Sequence, residues 1–215
     1  MTMKFEKGID GHYRNAVERA FEYIIEKGNA EHREVAEAIV NSRLLIRVLP
    51  VSEINASGIT GVINAVKTNM RMATRRFSVE DALAEVHITF AEETIGPTGG
   101  RGTEGTLVHE GRHAYDFART IASISNADVS PLSIFDPTLF ELEYAAHKTS
   151  AEWMLAVGNE EYTDEGKSLM ILCNNEKGVC EVSDEGIRRR LRESYGLSED
   201  GNRGPTASQM LGLVI

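Results

Sequence analysis

The chain has 215 residues, of which 41% are hydrophobic and 26% charged, with a formal charge of −10. That length suits one well-buried core, and the balance is that of an ordinary soluble globular protein. The negative charge argues against nucleic acid or an anionic membrane as principal partner. No run reaches the roughly 18 apolar residues of a membrane span, and Met1 to Gly8 lacks the apolar segment of a secretory signal.

In chain order, Tyr13, Val17, Ala20 and Ile24 recur at helical spacing before Gly28, a natural stop, and a second short helix is expected over Glu31 to Asn41. Leu44 to Leu49, ending at Pro50, has the composition of a strand, buried on both faces or close to a sheet edge. Ala56 to Gly61 is turn-like. The basic clusters Arg71/Arg75/Arg76 and Arg188 to Arg190 with Arg192 are expected as solvated faces rather than binding patches. Ser78 caps a short helix to Glu85, and Val86 to Phe90 then alternates as a half-buried strand does.

Gly96, Pro97, Gly99, Gly100 and Gly102 form a connection, a surface turn or a lid, into a helix beginning near Thr103. Asp136-Pro137 predicts the start of a third helix, with Asp as cap and Pro at the first helical position, running through Trp153. Gly166 to Leu172 and Asp184 to Tyr195 are weaker helical candidates. Cys173 and Cys180 could form one bridge in an oxidising compartment, but two free thiols are the expectation for a reducing one. The whole chain, 1–215, is expected as one domain, with a helical N-terminal part over about 1–42 and a tail or surface excursion over about 196–215.

The chemistry is carried by Leu107-Val108-His109-Glu110-Gly111-Arg112-His113-Ala114, which contains His-Glu-x-x-His. Residues four apart share a helix face, so both imidazoles can reach one ion, with Glu110 beside them as the base that activates water. Leu107, Gly111, Ala114, Ala118 and Ile121 form a narrow small and apolar stripe nearly opposite the two histidines on the helical wheel. One face can therefore pack on a core while the other presents a metal.

A catalytic zinc takes three protein ligands and leaves a position for water. The extended spacing that supplies a third histidine fails, because Asp116 and Arg119 stand at the required positions. Glu141, Glu143 and His147 on the following helix are the candidates, with Asp116 as an outer partner or a merely solvated residue.

His109-Glu110-x-x-His113 followed by Glu143-Tyr144-Ala145-Ala146-His147 resembles the gluzincin branch of zinc metallopeptidases, over Val86 to Trp153. The resemblance implies Zn2+ held by His109, His113 and Glu143. It also puts His147 in the place of an aspartate that orients a ligand histidine, a role in which an imidazole is a departure. It implies further that the strand Val86 to Phe90 is a sheet edge able to receive an extended peptide. The glycine-rich link is similar to metallopeptidase domains of bacterial toxins and effectors, for which an inhibitor or immunity partner would be conceivable.

The expected fold is thus α+β and zincin-like, mostly helical, with a small twisted sheet and a helix bearing the motif. The expected activity is zinc-dependent hydrolysis of a protein or peptide, with Glu110 as base and His147 and Tyr144 as further catalytic groups; Tyr115 and Arg112 are other candidates for stabilising an oxyanion. The alternatives are a catalytically inactive module of the same fold and an accidental motif in a helical interaction protein.

Overall fold

The computed structural model describes residues 1–95, 101–126, 130, 133–158, 170–174 and 178–214. It is an α+β structure, mostly helical, built around a mixed four-stranded sheet. Among the described residues no helix is long and apolar enough to cross a membrane.

Strand β1 (Lys4–Phe5) precedes two helices, α1 (Gly11–Lys27) and α2 (Ala30–Asn41). Each begins where a side chain satisfies a free backbone N–H. Asp10 accepts from His12 at the start of α1, and at the start of α2 Asn29 and His32 cap one another reciprocally. The chain then lays down β2 (Leu45–Leu49), a one-turn helix α3 (Val51–Ile54), β3 (Gly58–Val62), α4 (Ala65–Met72), α5 (Val79–Leu83) and β4 (Val86–Ala91). Ser78 caps α5, as its position before the helix predicts.

The strand order is β1-β2-β4-β3, with β1/β2 and β2/β4 parallel and β3/β4 antiparallel. Two expectations change here. Ala56 to Gly61 is mostly strand, not turn: its glycines give clearance, since a Cβ at Gly58 would stand 2.6 Å from Thr106 and one at Gly61 3.2 Å from the ring of His87. Moreover β4 is flanked on both sides, so the edge strands are β1 and β3, and Thr89 on the supposed solvent face of β4 is buried.

After α6 (Glu92–Ile95) comes α7 (Arg101–Ile124), the long helix bearing the motif. Positions 96–100 of the glycine-rich link lie outside the described residues. The stripe Leu107, Gly111, Ala114, Ala118 and Ile121 is buried as its spacing predicts. At Gly111 helix α2 crosses so closely that a Cβ would lie 3.3 Å from Ile39.

Helix α8 (Leu139–Val157) starts two residues later than Asp136-Pro137 suggests. Thr138 is the cap, reciprocated by Glu141, and Gly158 closes the helix with φ 62°. Asp136 instead accepts both the N–H and the hydroxyl of Ser208, at 2.8 and 2.7 Å.

Strands β5 (Ile171–Asn174) and β6 (Val179–Val182) form a hairpin in which Cys173 and Cys180 face one another and are joined by a disulfide, not left as free thiols. Met170 is therefore a turn residue and Ile171 and Leu172 are strand residues; the rest of the helix expected there, positions 166–169, lies outside the described residues. The last elements are α9 (Asp184–Arg190), a π-helical turn Leu191–Tyr195, and α10 (Ala207–Leu211).

The main core lies between the sheet, α1, α2 and α7. A smaller one, with Phe140, Ala151, Met170, Ile171, Ile187, Leu191 and Leu197, joins α8, the hairpin and α9. In the C-terminal stretch, for which composition suggests a tail, Leu197, Ala207, Leu211 and Leu213 are buried, and Pro205 accepts from the N–H of Leu139 at 2.8 Å.

Candidate metal centre

Helices α7 and α8 pack face to face, and their contact brings His109, His113 and Glu143 together with ligand atoms within 4.8 Å of one another. The two Nε2 atoms are 3.2 Å apart. The Glu143 carboxylate lies 3.6 Å from His109 and 3.5 Å from His113. Atoms bound at about 2.0–2.1 Å to one tetrahedral ion stand about 3.3 Å apart, so two imidazoles and one carboxylate at these spacings fit a zinc ion. Glu143 Oε2 is buried and accepts no hydrogen bond, which leaves it free to be a ligand atom.

The electrostatics favour positive charge at this point. Burial pushes the Glu143 carboxyl up, but the imidazoles of His109 and His113 outweigh it and hold the group far below the ordinary carboxylate range. Burial likewise works against charge on His113, yet Glu143, Glu110 and Asp116 raise its pKa. A proton and a metal ion would compete for the same negative surroundings.

Glu110 is buried beside this group and is held from the sheet edge. Its carboxylate Oε2 accepts from the hydroxyl of Thr60 at 2.7 Å, while Gly58 lets β3 approach; a Cβ there would be 2.9 Å from Glu110 Cγ. Neither Thr60 nor Gly58 carries a motif by which sequence alone could select it.

The other candidates divide. Glu141 is an exposed cap residue paired with Arg203 at 2.6 Å, away from the group. Tyr144 is not brought to it either, because its ring packs against the second core and its hydroxyl donates to exposed Asp184 at 2.6 Å; burial and that bond push its pKa up to about 12. Tyr115 donates to Glu34 at 2.7 Å, and Arg112 pairs with Asp116 and Glu31. Asp116 is buried and held by Arg112 and Arg119, so it is neither solvated nor bonded to His113, whose Nδ1 lacks a partner.

His147 does reach the centre, one helical turn beyond Glu143 and 3.8 Å from its carboxylate. It makes no hydrogen bond to either ligand histidine; its Nε2 faces the hydroxyl of Tyr195 at 3.2 Å. Burial, with help from His109 and Arg190, lowers its pKa to about 3, so the ring is neutral, and its Nε2–H tautomer can donate to that phenol oxygen. Tyr195, from the π-helical turn, was not among the residues the sequence singled out. Burial and the charge of Glu143 push its pKa up to about 12 and keep it a donor.

The centre lies on two adjoining lobes of a cleft, one of about 630 Å3 and one of about 300 Å3, which share Ala56, Gly58, His109, Glu110 and Tyr195. The group is thus a possible metal-binding triad in an open cleft beside the edge of a sheet. Comparison with protein-family models, with curated proteins and with solved structures gave no match to this chain.

Proposed function

We propose that this protein is a zinc-dependent metallopeptidase, gluzincin-like in its ligand order, which hydrolyses peptide bonds with Glu110 as general base. The observation that carries this reading is the convergence of His109, His113 and Glu143 with a separately anchored Glu110 in one cleft.

A bound zinc ion supplies Lewis acidity, polarising the scissile carbonyl and making a water nucleophilic near neutral pH. Glu110 takes the proton of that water and returns it to the departing amine, with Thr60 fixing the orientation of its carboxylate. Tyr195 stays protonated and donates to the oxygen on which negative charge develops, while the Nε2–H tautomer of neutral His147 donates to the phenol oxygen and holds it in place. Among the described residues strand β3 is paired on one side only, so an extended peptide can add to the other and lie across Glu110 into both lobes. A protein or peptide is accordingly the proposed substrate.

The test is elemental analysis of wild type, His113→Ala and Glu143→Ala, with peptide-library cleavage by wild type and Glu110→Gln. Bound zinc lost in both ligand variants, and cleavage lost in Glu110→Gln with zinc retained, is the expected result. Zinc without cleavage of any peptide would make the chain an inactive zinc-binding module, and no zinc at all would refute the site.

A further inference from the structure

The arginine cluster at the end of α9 does not behave as one solvated face. Arg188 pairs with Glu199 at 3.1 Å and Arg192 with Glu185 at 2.7 Å, both at the surface. Arg190 turns the other way and lines the larger lobe of the cleft with His147, Met154, Met170 and Tyr195. Its Nε–H is buried and has no acceptor, and among the described residues no carboxylate pairs with its guanidinium. The indole N–H of Trp153, in the same wall, is a second buried donor without an acceptor.

Arg190 is half-buried and an arginine cannot shed its proton, so its buried Nε–H without an acceptor is a standing penalty unless something fills its place. The neighbouring carboxylates do not. Glu110 is taken by Thr60, Glu93 accepts from the N–H of Val51 at 2.9 Å, and Glu143 faces the two histidines.

We propose that the larger lobe is a carboxylate-binding subsite in which Arg190 receives one acidic group of the substrate. This inference rests on the peptidase reading for its substrate, though not for the binding itself. A carboxylate is acceptor-only, planar and singly charged, which matches the guanidinium fork. A polyanion would meet Glu93, Glu110 and Glu143 and a chain of net charge −10. The apolar wall of Met154, Met170 and Trp153 suits the methylenes of an acidic side chain. The carboxylate can belong to an Asp or Glu side chain or to the free end of a peptide.

The test uses the zinc-loaded full chain with the variants Arg190→Gln and Arg190→Glu, both checked for zinc content. Paired peptides carrying Glu or Gln at each position, with free or amidated C-termini, give kcat/KM ratios. In parallel, N-acetyl-glutamyl amide and N-acetyl-alanyl-alanine are titrated into each protein as side-chain and terminal carboxylate probes.

The expected result is a wild-type preference of about tenfold or more for one carboxylate source, abolished in Arg190→Gln and turned toward Lys in Arg190→Glu. Glu-specific cleavage names the side chain, and a requirement for a free terminus names the chain end. Cleavage without any carboxylate preference overturns the subsite and leaves the peptidase reading standing. Probe binding lost in Arg190→Gln without cleavage of any peptide supports the subsite and counts against the peptidase. Probe affinity equal in wild type and Arg190→Gln means that the metal alone binds it, and the proposal fails.

Discussion

Nε2 of His109 and Nε2 of His113 stand 3.2 Å apart, so two neutral rings would set lone pair against lone pair unless a proton or a metal ion lies between them. The Glu143 carboxylate closes the third side at 3.5 and 3.6 Å. We therefore predict about one zinc per chain, lost on substitution of His113 or Glu143 by Ala. Glu141→Ala should keep its zinc, because that carboxylate is occupied at Thr138 and Arg203; it should lose about 1 kcal/mol of stability with the cap. Elemental analysis and urea unfolding of the three variants check this, and zinc lost only with Glu141 would reverse the assignment.

Two tyrosines should separate by kinetics. Tyr195 faces the centre through His147, whereas the hydroxyl of Tyr144 is spent on Asp184. Tyr195→Phe should lower kcat by about a hundredfold with little change in KM or zinc content, as loss of an oxyanion donor does. Tyr144→Phe should instead cost about 1 kcal/mol of stability at unchanged kcat. Equal kcat in wild type and Tyr195→Phe would remove the phenol from the mechanism.

The closeness of β3 to α7 gives a third test. A methyl at Gly58 would meet Thr106 at 2.6 Å and Glu110 Cγ at 2.9 Å, so strand or helix must move. Gly58→Ala should destabilise by about 1–3 kcal/mol and lower kcat by displacing the base. Thr60→Val adds no bulk and removes only the donor to Glu110; it should lower kcat by about tenfold at near-normal stability. Thermal melts and steady-state kinetics on the two variants distinguish crowding from misorientation, and a fully active Gly58→Ala would mean that the edge does not position Glu110.

The sequence made the local part of this site legible and left the assembled part hidden. His109 and His113 could be read because helical spacing alone fixes their common face, and the buried stripe from Leu107 to Ile121 fixes which way that face turns. Glu143 needed a resemblance, since its approach depends on how α8 packs on α7. Tyr195, Thr60 and Gly58 arrive from a π-helical turn and a strand that share no period with the motif. The misread elements have physical reasons too. Gly58 and Gly61 serve close approach instead of a turn, and Asp136 spends its carboxylate on Ser208 instead of capping α8. His147, expected to stand in for an orienting aspartate, is placed against Tyr195 by the same packing.

Two histidines that do not line the cleft make stability depend on pH. Burial, reinforced by Arg47, lowers His87 to about 4, and burial also lowers buried His32 below its ordinary 6.5. His32 Nδ1 accepts from the N–H of Asn29 at 3.0 Å, so Nε2 carries the proton and donates to the carbonyl of Thr149 at 2.9 Å; a second proton would break the first bond. Because both folded values lie below the unfolded one, the unfolded chain binds more protons in the window between them. The stability contributed by the neutral rings is therefore whole above about pH 6.5 and is lost as pH falls toward about 4. For His87 the expected loss between pH 8 and pH 5 is about 1–2 kcal/mol. Unfolding free energies from urea titrations at those pH values should fall less for His87→Gln than for wild type by that amount, and parallel curves would show that His87 is not held neutral by the fold.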